Sequence, residues 1–269
     1  MKIWYQSFSV GSASPDAPYP RILRESVAAL LDADTTITFG PMRKTISQGH
    51  HLRSIQSYDL PELFRSLLTA EQEGYDAVII GNALDPGLYE AKQLLRIPVL
   101  SIGHTAIMYS QLLGTKALLI VSGKKAIPLV QGNVERYGLS RQVHKVVAGA
   151  SDLSVPQMLG AFEDDNLKDQ VLDAFFSGVK AHLTDEVEVV LPMTGILQVL
   201  LHHAKVTEIE GRPVVNGFLV TPPIAELAAK LHKLGISTSN HGVFAPIPPD
   251  LQKALASTWP EFYPRRGDA

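Results

Sequence analysis

The sequence predicts an α/β protein with doubly wound parallel sheets, arranged as two similar halves. Three observations point there: short, almost wholly apolar runs, longer helical patterns between them, and a segment echoed about 110 residues later. The apolar runs lie at residues 2–5, 77–80, 98–102, 117–121, 187–191 and 213–215. Parallel strands are covered by helices on both faces, so runs such as AVII and ALLIV read as strands without polar alternation. Helical patterns occupy residues 22–32, 60–74, 87–95, 126–138, 167–183 and 222–235, and Gly74, Gly138 and Gly235 stand where helix C-caps are expected. In such sheets, ligands gather at the carboxyl ends of the strands.

The echo pairs Asp76-Ala-Val-Ile-Ile-Gly-Asn82 with Val187-Glu-Val-Val-Leu-Pro-Met193. Each is followed by a turn, a helix and a strand opening on Pro-Val, at Arg96-Ile-Pro-Val and Arg212-Pro-Val. That spacing is too long for a solenoid repeat and suits two related domains. Strand–turn–helix–strand is also common in any α/β protein, so the echo alone leaves duplication open.

Composition narrows the function. With 269 residues, 45% hydrophobic and 19% charged, the chain can bury a core without a disulfide or structural metal. A net charge of −3 gives no reason to expect nucleic acid or an anionic membrane as partner. No run reaches the ~18 apolar residues of a membrane span. The opening MKIWYQSFSV reads as a strand rather than a signal peptide, so a cytoplasmic location is expected. Cysteine is absent, which excludes disulfides, thiolate metal sites and thiol nucleophiles together. No Walker loop and no Gly-x-Ser-x-Gly elbow occur, and Ser122-Gly123-Lys124-Lys125 is too short to cradle a phosphate.

The segment Gly81-Asn-Ala-Leu-Asp-Pro-Gly-Leu88 resembles a hydantoin racemase motif, Gly-Cys-x-x-Asp-Pro-Gly-Leu, from the Asp/Glu/hydantoin racemase superfamily. Glu73-Gly-Tyr-Asp-Ala-Val before it and Ile97-Pro-Val-Leu-Ser-Ile-Gly103 after it also match. So, in order, do Arg136-Tyr-Gly-Leu139, Leu191-Pro-Met-Thr-Gly195 and Leu234-Gly-Ile-Ser-Thr-Ser239, giving a resemblance over about residues 62–246. Where the family often carries Asn-Pro-Asn after the first strand, this chain has Gln6-Ser-Phe-Ser9.

The resemblance implies two similar Rossmann-like domains with parallel sheets and an active-site cleft between them. The expected division is residues 1–104 plus 216–269 for the first domain and 105–215 for the second. It also implies a proton relay between two cysteines, one per half. Here Asn82 stands at the first position and Met193, with Thr194 beside it, at the second. An amide has no useful basicity and a thioether no acidic proton, so that relay is not expected.

The expected substrate is a small molecule bearing a carboxylate or a cyclic amide, and a homo-oligomer is the expected assembly. No cofactor is expected. Asn82, Ala83, Ser122, Met193, Thr194, Gly195 and Ser9 are the expected ligand contacts, and Asp85 is read as a turn and helix-cap residue. Thr194 and Gly195 open a helix whose first N–H groups can hold an anion, although an ordinary threonine cap is the competing reading. His104, directly after the run at 98–102, or His241, in Ser239-Asn-His-Gly242, is expected to do the acid–base work. A metal held by His51, His104, His203 and His241 is a weaker reading, and no metal site is assigned. Cysteine-independent isomerisation, decarboxylation, elimination or ring hydrolysis is expected, against an inactive ligand-binding paralogue or a racemase with other bases.

Overall fold

A computed structural model describes residues 1–10, 16–45, 49–149 and 153–263, apart from the side chains of Ser9 and Val10. The first sheet contains β1 (Lys2–Val10), β2 (Thr36–Met42), β3 (Ala77–Ile80) and β4 (Val99–Ser101), all parallel in the order β2-β1-β3-β4. The second contains β5 (Ala117–Val121), β6 (Val143–Ala148) and β7 (Val189–Pro192), parallel in the order β6-β5-β7. Val214 then bridges in parallel to Val190 on β7, so both halves follow one connection pattern. The run expected at 213–215 is mostly spent otherwise, because β8 (Glu208–Ile209) and β9 (Arg212–Pro213) close a short antiparallel hairpin.

Helices cover both sheets. In the first half these are α1 (Pro18–Ala28), α2 (Arg53–Gln72) and α3 (Leu88–Leu94), followed by α4 (Ile102–Ser110). The second half adds α5 (Ile127–Arg136), α6 (Val155–Gly160), α7 (Asp165–Lys180) and α8 (Gly195–His203). Next, α9 (Gly217–Lys233) returns to pack on β3, β4 and α4, and α10 (Pro249–Thr258) ends the described chain. Every residue of β3, β5 and β7 is buried. One core cluster joins Ile3, Tyr5 and Ile79 of the first sheet to Val199 on α8 and Phe218 on α9, so the halves share apolar contacts. Among the described residues no helix is long and apolar enough to cross a membrane.

Gly74, Gly138 and Gly235 follow α2, α5 and α9 with φ of 76°, 70° and 89°. In each case the next residue's N–H reaches back five residues, as from Tyr75 to the Ala70 carbonyl, which is the Schellman closure that a left-handed residue permits. The strand β2 was not expected, because its TITFGPM carries Gly-Pro. It survives as an edge strand, and Gly40 is required there: a Cβ would lie 1.8 Å from the Trp4 indole. Gln6, at the Asn-Pro-Asn position of the resemblance, is fully buried. Its amide donates to the Ser7 and Gly40 carbonyls, while its Oε1 accepts from Trp4 Nε1 and Ser66 Oγ. It ties β1 and β2 to α2 and has no capacity left for a ligand.

Asp85 does more than cap its own turn. Held at φ 51° and buried, it accepts through Oδ1 from Ser101 Oγ and the Gly103 N–H, and through Oδ2 from Tyr137 Oη at 2.9 Å. It therefore caps the start of α4, not α3, and reaches the end of α5 in the second half. Asn133 on α5 adds a bond from Nδ2 to the Leu84 carbonyl at 2.8 Å. Burial outweighs these donors and pushes the Asp85 carboxyl up to about 6.

Two outcomes follow from this packing. A Cβ on Gly217 would lie 2.2 Å from the Ile102 carbonyl oxygen, a backbone atom with no room to move. Gly217→Ala should therefore cost roughly 1–3 kcal/mol, read as a lowered urea midpoint. For Asp85, the folded chain binds the proton more tightly than the unfolded chain does. Its contribution is fully present below about pH 4 and is lost as pH rises through about 6. Wild type should lose up to ~3 kcal/mol relative to Asp85→Asn between pH 4 and pH 7, and parallel stabilities at the two pH values would remove this assignment.

Candidate active site

The carboxyl ends of β1, β3, β5 and β7 converge on one cavity of about 560 Å³. The first half supplies Tyr5, Ser7 and Phe8, the start of α1, His50 and His51, and the turn from Gly81 to Leu84. The second half supplies Ser122, part of α6 with Glu163 beyond it, and Met193 to Ile196. Strand ends gather here because the strand interiors are sealed by helices, leaving polar groups only where the chain turns.

Asn82 is set by its own turn. The Leu84 N–H donates to Asn82 Oδ1 at 2.9 Å, which leaves Nδ2 facing His50 Nδ1 at 3.3 Å. On its other side His50 Nε2 lies 2.8 Å from Asp59 Oδ2, which also accepts from Thr45 Oγ1 at 2.8 Å. A carboxylate only accepts, so Nε2 carries the proton. Nδ1 then holds a lone pair and accepts from the Asn82 amide. The two partners thus select a neutral imidazole with its basic nitrogen beside the position where the family has cysteine. Gln56 Nε2 donates to the His50 carbonyl at 2.7 Å, and the ring meets Phe8 edge-on at 5.3 Å. Asp59, on α2, is 4% exposed, so its charge is spent on this pair.

On the second half, Met193 is buried in the core cluster around β5 and β7. Thr194 is the N-cap of α8, yet its hydroxyl makes no cap hydrogen bond. The ordinary cap reading is thereby set aside, and the hydroxyl remains available at the cavity. The α8 entrance is held instead by Gln198, fully buried, which donates to the Pro192 carbonyl at 2.6 Å and accepts from the Phe218 N–H.

Six of the expected ligand contacts come together: Asn82, Ala83, Ser122, Met193, Thr194 and Gly195 all line the cavity. Ser9 lies in β1, but its side chain is outside the described residues. Neither histidine expected to do the acid–base work is brought here. His104 is in the first turn of α4, its ring edge-on to Tyr137 at 4.5 Å, and it does not line the cavity. Burial, with Lys92 adding to it, lowers its pKa to about 4, so it is a neutral packing group at neutral pH. His241 is exposed in the loop after α9 and does not line the cavity either. Nor do the four histidines of the metal reading form a ligand group among the described residues. The cluster found there is Asp32, Asp34 and Glu226, with Lys230 Nζ 2.6 Å from Asp32.

Sequence reasoning passed over His50 and Asp59. The usable sign was their separation of nine residues, a loop histidine followed by an acidic residue inside an apolar helical stretch. It also passed over Tyr5, inside the expected strand at 2–5, and Tyr19, ahead of the helical pattern at 22–32.

The profile of the Asp/Glu/hydantoin racemase family matches residues 19–217. The chain is 26% identical over 190 residues to the hydantoin racemase of Rhizobium meliloti, covering 71% of this chain and 74% of that one. Its fold is similar to allantoin racemase from Pseudomonas fluorescens, with TM-score 0.72, 20% identity, and coverage of 93% of this chain and 98% of that one. It is also similar to allantoin racemase from Klebsiella pneumoniae, with TM-score 0.71, 18% identity, and coverage of 92% and 94%. With one cavity at the carboxyl ends of two parallel sheets, and asparagine and methionine where the thiols would stand, the chain belongs to the Asp/Glu/hydantoin racemase family as a member without cysteine.

Proposed function

We propose that this protein transfers a proton at the ring carbon of a neutral cyclic amide or ureide of the hydantoin type, with His50 as the base. The observation that carries this reading is the chain of bonds Asp59–His50–Asn82, which holds the unprotonated Nδ1 of His50 against the Asn82 amide at the first cysteine position, on the cavity wall. Asp59 steadies the imidazolium that forms when His50 takes the proton, and Asn82 Nδ2 is released to hydrogen-bond the substrate. Among the described lining residues there is no lysine or arginine, and Glu163 brings a negative charge. Such a lining favours a neutral ring over a dicarboxylate, which would lose its hydration without a cation to replace it. Thr194 Oγ1, Ser122 Oγ and the first N–H groups of α8 supply donors and acceptors for ring heteroatoms. Hydantoin and allantoin, the substrates named for the relatives, are rings of this kind.

Among the described residues, the second half offers no counterpart to His50 in its lining except the exposed Glu163. Proton transfer from one face, with retention at the ring carbon, is the expected result. The test is exchange of the ring-carbon hydrogen of single enantiomers of 5-methylhydantoin and allantoin in deuterated water, followed by NMR and chiral chromatography. Exchange should occur without racemisation, and His50→Gln should slow it by about 10²–10⁴ with little change in thermal midpoint. Racemisation that Glu163→Gln abolishes would instead make Glu163 the second base. Binding of either ring without exchange would make the protein a ligand-binding paralogue.

A further inference from the structure

Two phenols face the cavity and take no part in the step assigned to His50. Tyr5 is 3% exposed, and its ring lies across Gly81: a Cβ there would be 2.3 Å from ring carbon Cε1 and 2.8 Å from Cζ. The hydroxyl end of Tyr5 therefore stands beside the residue that precedes Asn82. Tyr19 enters from the first turn of α1, after Pro18, with its ring edge-on to Phe162 at 5.7 Å. Both line the cavity. Neither hydroxyl has a hydrogen-bond partner among the described residues, and Tyr5 Oη is not one of the sealed polar atoms left unpaired, so it opens to the cavity. Burial pushes the Tyr19 phenol up to about 12 and that of Tyr5 well above its ordinary value, Tyr19 adding to the effect. Both keep their protons at neutral pH and are donors without an acceptor in the protein. A tyrosine hydroxyl that is buried usually has one.

We propose that Tyr5 and Tyr19 are paired hydrogen-bond donors for a carbonyl oxygen of the cyclic amide or ureide bound in this cavity. The inference deepens the reading of the site, and it rests on that reading only for what happens to the oxygen during reaction. When His50 Nδ1 takes the proton from the ring carbon, the C–H electron pair moves into the bond to the carbonyl carbon. The carbonyl π pair moves onto oxygen, giving an enolate. Donors placed at that oxygen bind the growing charge more strongly than the starting carbonyl. On return of the proton, the pairs move back and the phenols are unchanged. Uncharged donors match a neutral ring, since binding leaves no cation buried when the site is empty.

The experiment compares wild type, Tyr5→Phe, Tyr19→Phe and the double variant by thermal midpoint without ligand, by calorimetric titration with 5-methylhydantoin and allantoin, and by ring-carbon deuterium exchange. Removing a hydroxyl with no internal partner should leave the ligand-free midpoint unchanged or raise it. Affinity should fall about 5- to 10-fold for each substitution. Exchange should fall further than affinity in at least one variant, because the bond strengthens as the enolate forms. Unchanged affinity in both single variants overturns the proposal, as does a midpoint lowered by several degrees, which would show a structural partner. Tyrosine-dependent binding with no exchange in wild type would keep the phenol site and remove the His50 mechanism. Exchange lost in His50→Gln but intact in both phenylalanine variants would do the reverse. A wild type that binds neither ring overturns both.

Discussion

Parallel sheets sealed by helices on both faces leave polar function to the carboxyl side of their strands and the turns beyond, and that constraint organises this molecule. All residues of β3, β5 and β7 are buried, so any polar side chain there would lose its water without a partner. Polar function is pushed to the turns at the strand ends. Because the two sheets meet with their carboxyl ends on one space, residues of β1 and the turns after β3, β5 and β7 become walls of a single cavity. Its volume and its mix of aromatic, amide and hydroxyl groups follow from which residues end those four strands.

The turn after β3 must be stiff for that arrangement to have consequences. Asp85 supplies the stiffness: one carboxyl group accepts from the start of α4 and from Tyr137 at the end of α5, joining the halves behind the cavity wall. The approach it requires leaves no room for side chains at Gly103, where a Cβ would lie 2.3 Å from the Ala83 carbonyl oxygen. With the turn fixed, the Leu84 N–H holds Asn82 by its oxygen and presents its NH₂ to His50. The orientation of one amide thus decides which imidazole nitrogen is basic. A structural anchor and a chemical preference are linked through four residues of backbone.

Titratable groups line the cavity although both thiol positions are substituted. The titratable groups of the described lining are unevenly divided: His50 (paired with Asp59), His51 and the phenols of Tyr5 and Tyr19 on the first half, and the exposed Glu163 on the second. That asymmetry, in a cavity whose described lining holds no lysine or arginine, separates this chain from a symmetric two-thiol relay more sharply than the substitutions alone. The histidine expected to act, His104, lies outside the cavity lining, with its ring edge-on to Tyr137.

Local sequence determined a great deal. Continuous apolar runs placed β3 and β5 to the residue, because a strand buried on both faces needs no partner to be recognised. Glycines that must turn left-handed marked the ends of α2, α5 and α9, and the family motif placed Asn82 and the Met193–Gly195 segment at the cavity. What only the tertiary structure decided are pairings between segments with no local pattern. The edge strand β2 exists because Gly40 admits the Trp4 ring, although its own residues argue against a strand. His104 and His50 are both histidines near helix starts, and nothing in their neighbours tells which faces the cavity. That depends on the rotation of each helix against its sheet, which is set by burial of the opposite face. The Asp59–His50–Asn82 chain spans a loop, a helix and a strand end, so its geometry is fixed by packing of all three and could be written in none of them.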